Sequence, residues 1–252
     1  MSAYYNEFDP HAAQWLRNLI KAGHIAPGDV DERSIEDVAP SDLIGYTQCH
    51  FFAGVGVWSL ALREAGWPDD RPVWTGSCPC QPFSAAGKGD GFADERHLWP
   101  AFYHLIDQWR PAKIFGEQVA SKDVDPWVDL VHADLEALGY IFGGVPFPSA
   151  GVGAPQIRDR LYWVADADDP ERRATKSCGH KPDWPPAGRF QSHRNTWQRL
   201  HGPDWRTAAA EFCQDAHGVA GRVGRLRAYG NAINKEAAVA FIVASEEAWV
   251  FT

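Results

Sequence analysis

The chain has 252 residues, 45% of them apolar and 12 of them tryptophan, enough for one large domain with a sizeable core and a small appendage. It contains no run of 18 apolar residues, and its opening, MSAYYNEFDPHAAQW, lacks the basic, apolar and small-residue zones of an export signal, so a membrane-spanning or exported class is not expected and the cytoplasm is. Five cysteines, at 49, 78, 80, 178 and 213, are odd in number and lack paired CxxC spacing, which argues for reduced thiols and against a metal centre or a disulfide framework.

The first predicted element is a helix with Asp9 as N-cap and Pro10 at its first position, placing Trp15, Leu16, Leu19 and Ile20 on one face and ending at Gly23. A buried strand is expected over Thr47 to Phe52, then a glycine turn, then a helix with Leu60, Ala61 and Ala65 inward, stopped by Gly66-Trp67-Pro68. Val73 to Gly76 reads as a short strand, Leu98 to Trp109 as a helix and Lys113 to Phe115 as a strand leading into Glu117. Trp127, Leu130, Val131, Leu135 and Leu138 mark a helix closed by Gly139, and Tyr140 to Val145 and Leu161 to Ala165 read as strands. Strands alternating with helices predict an α/β fold with a mostly parallel sheet covered on both faces. From Ala167 to about Pro203 no period is sustained, which predicts a small loop-rich lobe. Lys235 to Trp249 restores an amphipathic helix with Ala238, Phe241, Ile242 and Trp249 on one side.

The net charge of −9 is unevenly spread. Residues 1–156 carry 10 Lys+Arg against 21 Asp+Glu, residues 157–235 carry 14 against 9, and the tail adds three acids. A basic C-terminal third suits a polyanion held by one lobe, or a solvated arginine-rich surface.

Four short stretches carry the chemistry. In Pro79-Cys80-Gln81-Pro82-Phe83-Ser84 a cysteine stands between two prolines at a strand end, placed for attack rather than for packing. Glu117-Gln118-Val119 follows a strand. In Gln156-Ile157-Arg158-Asp159-Arg160 the two arginines alternate outward on the approach to a strand, aiming two guanidiniums at a phosphate or carboxylate. Gly230-Asn231-Ala232-Ile233 precedes the last helix. Together these resemble the DNA (cytosine-5)-methyltransferase family, over roughly residues 47–165 and 218–248.

The resemblance implies an S-adenosylmethionine-dependent, Rossmann-like sheet with a target-recognition lobe. It divides the chain into a catalytic and cofactor-binding domain over 1–166, a lobe over 167–216 and a returning segment over 217–252. It implies S-adenosylmethionine as cofactor and double-stranded DNA as partner, with no membrane and no metal, and a monomer. Carbon 5 of cytosine reacts poorly with an alkyl donor until a nucleophile adds at carbon 6, and a thiolate does this best. The resemblance gives that role to Cys80, not Cys78. Glu117 is then the carboxyl at ring nitrogen 3, and Arg158 and Arg160 hold the nucleotide and that carboxyl. Gln81, Pro82, Ser84, Gln118, Val119 and Gln156 line the substrate side. The glycine run from Ser84 to Asp94 is expected to be mobile and to close over DNA whose target base has left the stack.

Phe52-Ala53-Gly54-Val55-Gly56 resembles the family's first motif, where glycines admit the methyl donor, with Pro79 and Asn231 completing the pocket. His50, Val57, Gln118 and Lys235 depart from the family pattern. Only 13 residues separate Gly66 from Cys80, too few for the second and third motifs that normally stand there. Asn6-Glu7-Phe8-Asp9-Pro10 and Arg33-Ser34-Ile35-Glu36-Asp37-Val38 look like those motifs placed ahead of the first, in a permuted segment 1–45. Glu7 would accept the ribose hydroxyls, Phe8 would pack on adenine, Ile35 would flank it, and Ser34 would replace the usual Asp. In the lobe, Arg172, Arg173, Arg189, Arg194, Arg199 and Arg206 are candidates for phosphate or guanine contacts, and Trp184, Trp197 and Trp205 for its core. Action on RNA or a free nucleotide, and a DNA-binding relative without catalysis, remain as alternatives. A dinucleotide oxidoreductase is disfavoured because GxGxxG is not completed after Gly56.

Overall fold

The computed structural model describes residues 2–79, 98–120, 124–154, 158–167 and 232–250. Among these residues, seven strands form one sheet: β1 (Ser2–Asn6), β2 (Gly28–Asp31), β3 (Tyr46–Phe51), β4 (Val73–Gly76), β5 (Lys113–Val119), β6 (Tyr140–Pro148) and β7 (Asp159–Ala167). Their order across the sheet is β2-β1-β3-β4-β5-β7-β6. The first five in chain order run parallel, and β7 is antiparallel to both β5 and β6. Helices α1 (Pro10–Lys21), α2 (Val57–Glu64), α3 (Trp99–Trp109), α4 (Asp125–Ala137) and α5 (Lys235–Val250) cover the two faces. The mostly parallel α/β fold is therefore as expected, and no helix among the described residues is long and apolar enough to cross a membrane.

The two strands that come first in the chain lie outside the third. Strand β1 has β2 and β3 on its two edges and is also buried on both faces: Ala3 and Tyr5 pack with Leu16, Ile25 and Ala26, while Tyr4 clusters with Ile35 and Phe51 on the other side. Asp9 caps α1 by accepting from the backbone N–H groups of His11 and Ala12. The helix buries Ala12, Ala13 and Leu16, and Trp15 is 46% exposed, which corrects the stripe expected from the sequence. Small residues form the contact because α1 lies close to the sheet and to the start of α2.

Several strand ends and the buried face of the last helix also differ from expectation. The strand expected over Lys113 to Phe115 continues to Val119, so Glu117 and Gln118 lie inside it rather than beyond it. The strand expected to reach Phe52 stops at Phe51, because Phe52 adopts a left-handed backbone with φ 52°. The last helix buries Ala237, Ala238, Ile242 and Ser245, with Phe241 only partly covered. The lobe at 167–216 and the glycine run from Ser84 to Asp94 lie outside the described residues, save Ala167 at the end of β7.

One row across the sheet sets the height of the site. Phe51, Gly76, Gly116 and Trp163 stand in register on neighbouring strands. A Cβ on Gly76 would lie 2.4 Å from the Phe102 ring, and one on Gly116 would lie 2.0 Å from the Trp163 indole. Both glycines let a large aromatic lie against the sheet on the face that α3 covers. Since side chains alternate along a strand, the next residue in each case, Ser77 and Glu117, faces the opposite side, towards α2. On that side α5 packs Ala237, Ala238 and Ile242 beside Trp58, Ala61 and Leu62. Glu246 of α5 pairs with Lys113 at 2.6 Å and Arg71 at 2.6 Å, and Lys113 also reaches Asp166 at 2.8 Å, which ties the returning helix to the sheet.

Gly116→Ala is expected to destabilise the protein by about 2–3 kcal/mol, because the new methyl must displace the Trp163 indole. Gly143→Ala, with nothing within 4 Å of its Cβ position, is expected to cost less than about 1 kcal/mol. The midpoints of chemical denaturation measure both.

Candidate active site

The predicted site residues within the described chain, Ile35 and Ser34 included, lie towards or just beyond the carboxyl ends of the parallel strands, or, for Arg158 and Arg160, at the amino end of antiparallel β7, all on the edge of the sheet where α/β folds bind ligands. Asn6 and Phe51 are partners in the parallel pairing of β1 with β3, so the two strands end at the same level. The Ala53 N–H donates to the Asn6 carbonyl at 3.0 Å. One residue on, the Glu7 carboxylate accepts from the Gly54 N–H at 2.6 Å and from the Asp9 N–H at 2.9 Å. Glu7 thus bridges the turn after β3 and the start of α1. Burial raises its pKa, and the Asp9 and Gly54 N–H groups oppose that rise.

The turn itself is shaped by three residues of positive φ: Phe52 at 52°, Gly54 at 55° and Gly56 at 81°. At Gly56 a Cβ would stand 3.0 Å from the Leu16 side chain, so glycine lets α2 begin against α1. At Gly54 the nearest atom to such a Cβ is the Phe52 carbonyl oxygen at 4.0 Å, which leaves that side of the turn open. Val55 is half-buried, and Phe8 is the most exposed large apolar side chain among the described residues, at 73%. The Asn6 side chain donates to the Arg33 carbonyl at 2.9 Å, and the Arg33 guanidinium holds Asp31 at 2.7 Å and Asp42 at 2.8 Å. These contacts fix the loop after β2 beside Glu7. Ser34 caps the short 3-10 turn that follows, and Ile35, at 3% exposure, packs downward into the core rather than outward. Its contribution is to anchor the loop from beneath.

His50, which departs from the pattern of the family the sequence resembles, is fully buried in β3. Its Nδ1 lies 2.9 Å from the Thr75 hydroxyl and its ring stacks on Tyr5. Burial pushes its pKa down to about 3, so the imidazole is neutral at physiological pH.

Two strands away, Glu117 is 7% exposed in the middle of β5. Arg160 Nε approaches its Oε1 at 2.6 Å, and Ser77 is its neighbour across the sheet, one residue beyond the pairing of Gly76 with Gly116. Burial raises the Glu117 pKa to about 7 in spite of Arg160 and Arg158, so the group exchanges its proton near neutrality. The Arg158 pKa is lowered, first by burial and then by Arg160. Its Nε and Nη2 are buried and make no hydrogen bond in the structure.

Gln118 departs from the substrate-lining role expected of it. Its side chain is buried on the α3 face, where it donates to the Cys78 carbonyl at 3.3 Å and accepts from the Val119 N–H at 2.9 Å. It ties β5 to the segment leading into Cys80, and Val119 packs against the core. Pro79, half-buried, ends the described part of that segment, and Cys78 is buried. Cys80, Gln81, Pro82, Ser84, Gln156 and Asn231 lie outside the described residues. Two residues without a predicted role, Ser77 and Arg33, stand in the site. Position offered a signal for both, since Ser77 precedes Cys80 by three residues and Arg33 directly precedes Ser34 and Ile35.

The raised Glu117 pKa has a consequence for stability. Between 4.5 and about 7 the folded state holds a proton that the unfolded state has lost, so stability falls as pH rises through that window. Glu117→Gln removes this dependence. The wild type is expected to lose roughly 1–3 kcal/mol more than the variant between pH 5 and pH 8, measured by denaturant titration at each pH.

The chain is similar to known proteins. The family described as C-5 cytosine-specific DNA methylase matches residues 2–199. The chain is 30% identical to the type II methyltransferase M.HhaI of Haemophilus parahaemolyticus over 104 residues, 40% of this chain and 32% of the relative. It is 29% identical to M.NgoMIV of Neisseria gonorrhoeae over 218 residues, 66% of this chain and 67% of the relative. It is 25% identical to M.NaeI of Lentzea aerocolonigenes over 231 residues, 90% of this chain and 48% of the relative. The chain thus spans from about a third to two thirds of the length of these relatives. With a family match over most of its length and a site at the expected edge of the expected sheet, the chain belongs to the C-5 cytosine-specific DNA methylase family.

Proposed function

We propose that this chain transfers a methyl group from S-adenosylmethionine to carbon 5 of cytosine in double-stranded DNA, with Cys80 adding to carbon 6 of a base turned out of the stack. The observation that carries this reading is the buried Glu117 carboxyl, held between Arg160 and Ser77 and poised near neutral pH, in a chain of this family. Addition at carbon 6 sends electrons towards nitrogen 3, and a carboxyl that is about half protonated at pH 7 can donate a hydrogen bond there and share its proton. After carbon 5 takes the methyl group, loss of its proton to a base and departure of the Cys80 thiolate from carbon 6 restore the ring. The unpartnered Arg158 N–H groups suit a carbonyl or phosphate oxygen of the nucleotide.

The residues around Gly54 fit the methyl donor. A carboxylate anchored by two backbone N–H groups keeps lone pairs for the ribose hydroxyls, an exposed Phe8 offers a face to adenine, and the open side of the Gly54 turn admits the methionine portion. When bound, S-adenosylmethionine supplies an electrophilic methyl group. On this reading segment 1–45 is a permuted pair of cofactor motifs, residues 1–166 form the catalytic domain, 167–216 the recognition lobe and 217–252 the returning segment. The 2.6 Å contact between Glu7 and Gly54 supports the permutation, because it brings the first acid of the chain to a turn 47 residues later.

Incubation with labelled S-adenosylmethionine and duplex DNA, single-stranded DNA, RNA or dCMP, followed by digestion, tests the function. Label on carbon 5 of cytosine in duplex DNA is expected, lost in Cys80→Ser and kept in Cys78→Ser. Label on adenine, on an exocyclic nitrogen or only on RNA overturns the proposal.

A further inference from the structure

We propose that Trp58 and Ser77 form a hydrogen-bond relay that positions the Glu117 carboxyl and links it to the turn at Gly54. The proposal rests on the role given to Glu117 in methyl transfer. The Trp58 indole N–H donates to the Ser77 hydroxyl oxygen at 3.0 Å. Ser77 and Glu117 each follow the paired Gly76 and Gly116 on adjacent parallel strands, so their side chains are neighbours on one face, and Ser77 is among the groups that hold the Glu117 pKa down. An indole can only donate, so it occupies an oxygen lone pair of Ser77 and leaves the hydroxyl proton for the carboxyl. With the carboxyl ionised, the direction of the chain is fixed: indole to hydroxyl to carboxyl. A hydroxyl that accepts one hydrogen bond donates a stronger one, which adds to the hold on Glu117.

The surroundings keep the relay rigid. Trp58 is buried, stacked on Phe115 at 6.1 Å and edge-on to Tyr162 at 6.2 Å. It is the second residue of α2, and α2 starts directly from the turn that Glu7 caps. Ser77 follows β4, three residues before Cys80. The relay thus joins three segments: the turn-to-helix segment, the strand leading to the cysteine, and the strand bearing the carboxyl. The titratable groups that face Glu117 are Arg160 and Arg158 from β7 and its approach, and the Tyr162 hydroxyl. From α2 the indole N–H meets Ser77, and Ser77 is the neutral group that opposes the effect of burial on Glu117. Trp58 and Ser77 are positioning residues, since Glu117 is the group that meets the base.

Carbon-13 NMR of protein labelled at glutamate carboxyls, with Glu117→Gln assigning the resonance, reads the relay without turnover. Ser77→Ala is expected to raise the Glu117 titration midpoint by about half a unit to one unit, the effect of one hydrogen bond to the ionised form. Trp58→Phe is expected to move it the same way by less, and Ser77→Thr, which keeps the hydroxyl, to return it to the wild-type value. In methyl transfer, kcat of Ser77→Ala is expected to fall about ten-fold with the KM values for donor and DNA retained. An unmoved midpoint in Ser77→Ala overturns the relay, and if that variant does not fold, an unmoved midpoint in Trp58→Phe does so. A moved midpoint in a wild-type protein that methylates nothing upholds the relay and refutes the role of Glu117. Transfer by the wild type with an unmoved midpoint does the reverse.

Discussion

The contact between the Glu7 carboxylate and the Gly54 N–H is the constraint on which the site depends. A half-buried carboxylate is costly unless its oxygens are engaged, and here one oxygen takes the Gly54 N–H and the other the Asp9 N–H. The same group therefore stabilises a turn containing a strained Phe52 and holds the N-cap of α1 in place. The parallel pairing of β1 with β3 makes the contact possible, because Asn6 and Phe51 end at one level. Without that register Glu7 would not meet the turn, and Phe8 would not stand beside it.

The second half of the site balances burial against charge. Glu117 sits inside a strand, where water is excluded, and its neighbours Arg160 and Arg158 do not fully offset the loss of hydration. The result is a carboxyl tuned to neutral pH rather than a permanently ionised partner. Arg158 bears part of the same cost, with two buried N–H groups left for a ligand to satisfy. Helix α2 connects the two halves, since it begins at the Gly54 turn and its Trp58 donates to Ser77, the neighbour of Glu117 across the sheet.

Much of this was legible in the sequence, and the exceptions share a cause. Helix α1 was marked by Asp9 and Pro10, and β3, β4 and α3 by apolar runs with clear stops. Strands β1 and β2 were not visible by period, because SAYYN and GDVD are short and carry polar residues, and they form only through pairing with strands elsewhere in the chain. They could be anticipated only from the interval missing before Cys80. Glu117 ended the strand prematurely for a similar reason. A carboxyl in a buried strand contradicts the apolar pattern, and what permits it, Arg160 on β7, is 43 residues away. Trp15 misled because the face of α1 that packs is set by small residues against the sheet, a property of spacing between elements rather than of hydrophobicity.

Placing the methyl donor tests the central claim most directly. A crystal structure with S-adenosylhomocysteine, which has the adenosine of the donor without its reactive methyl, should show both ribose hydroxyls within hydrogen-bond distance of the Glu7 carboxylate and adenine against Phe8. Ribose held by another acid, with Glu7 still bonded only to the Gly54 and Asp9 N–H groups, would contradict it.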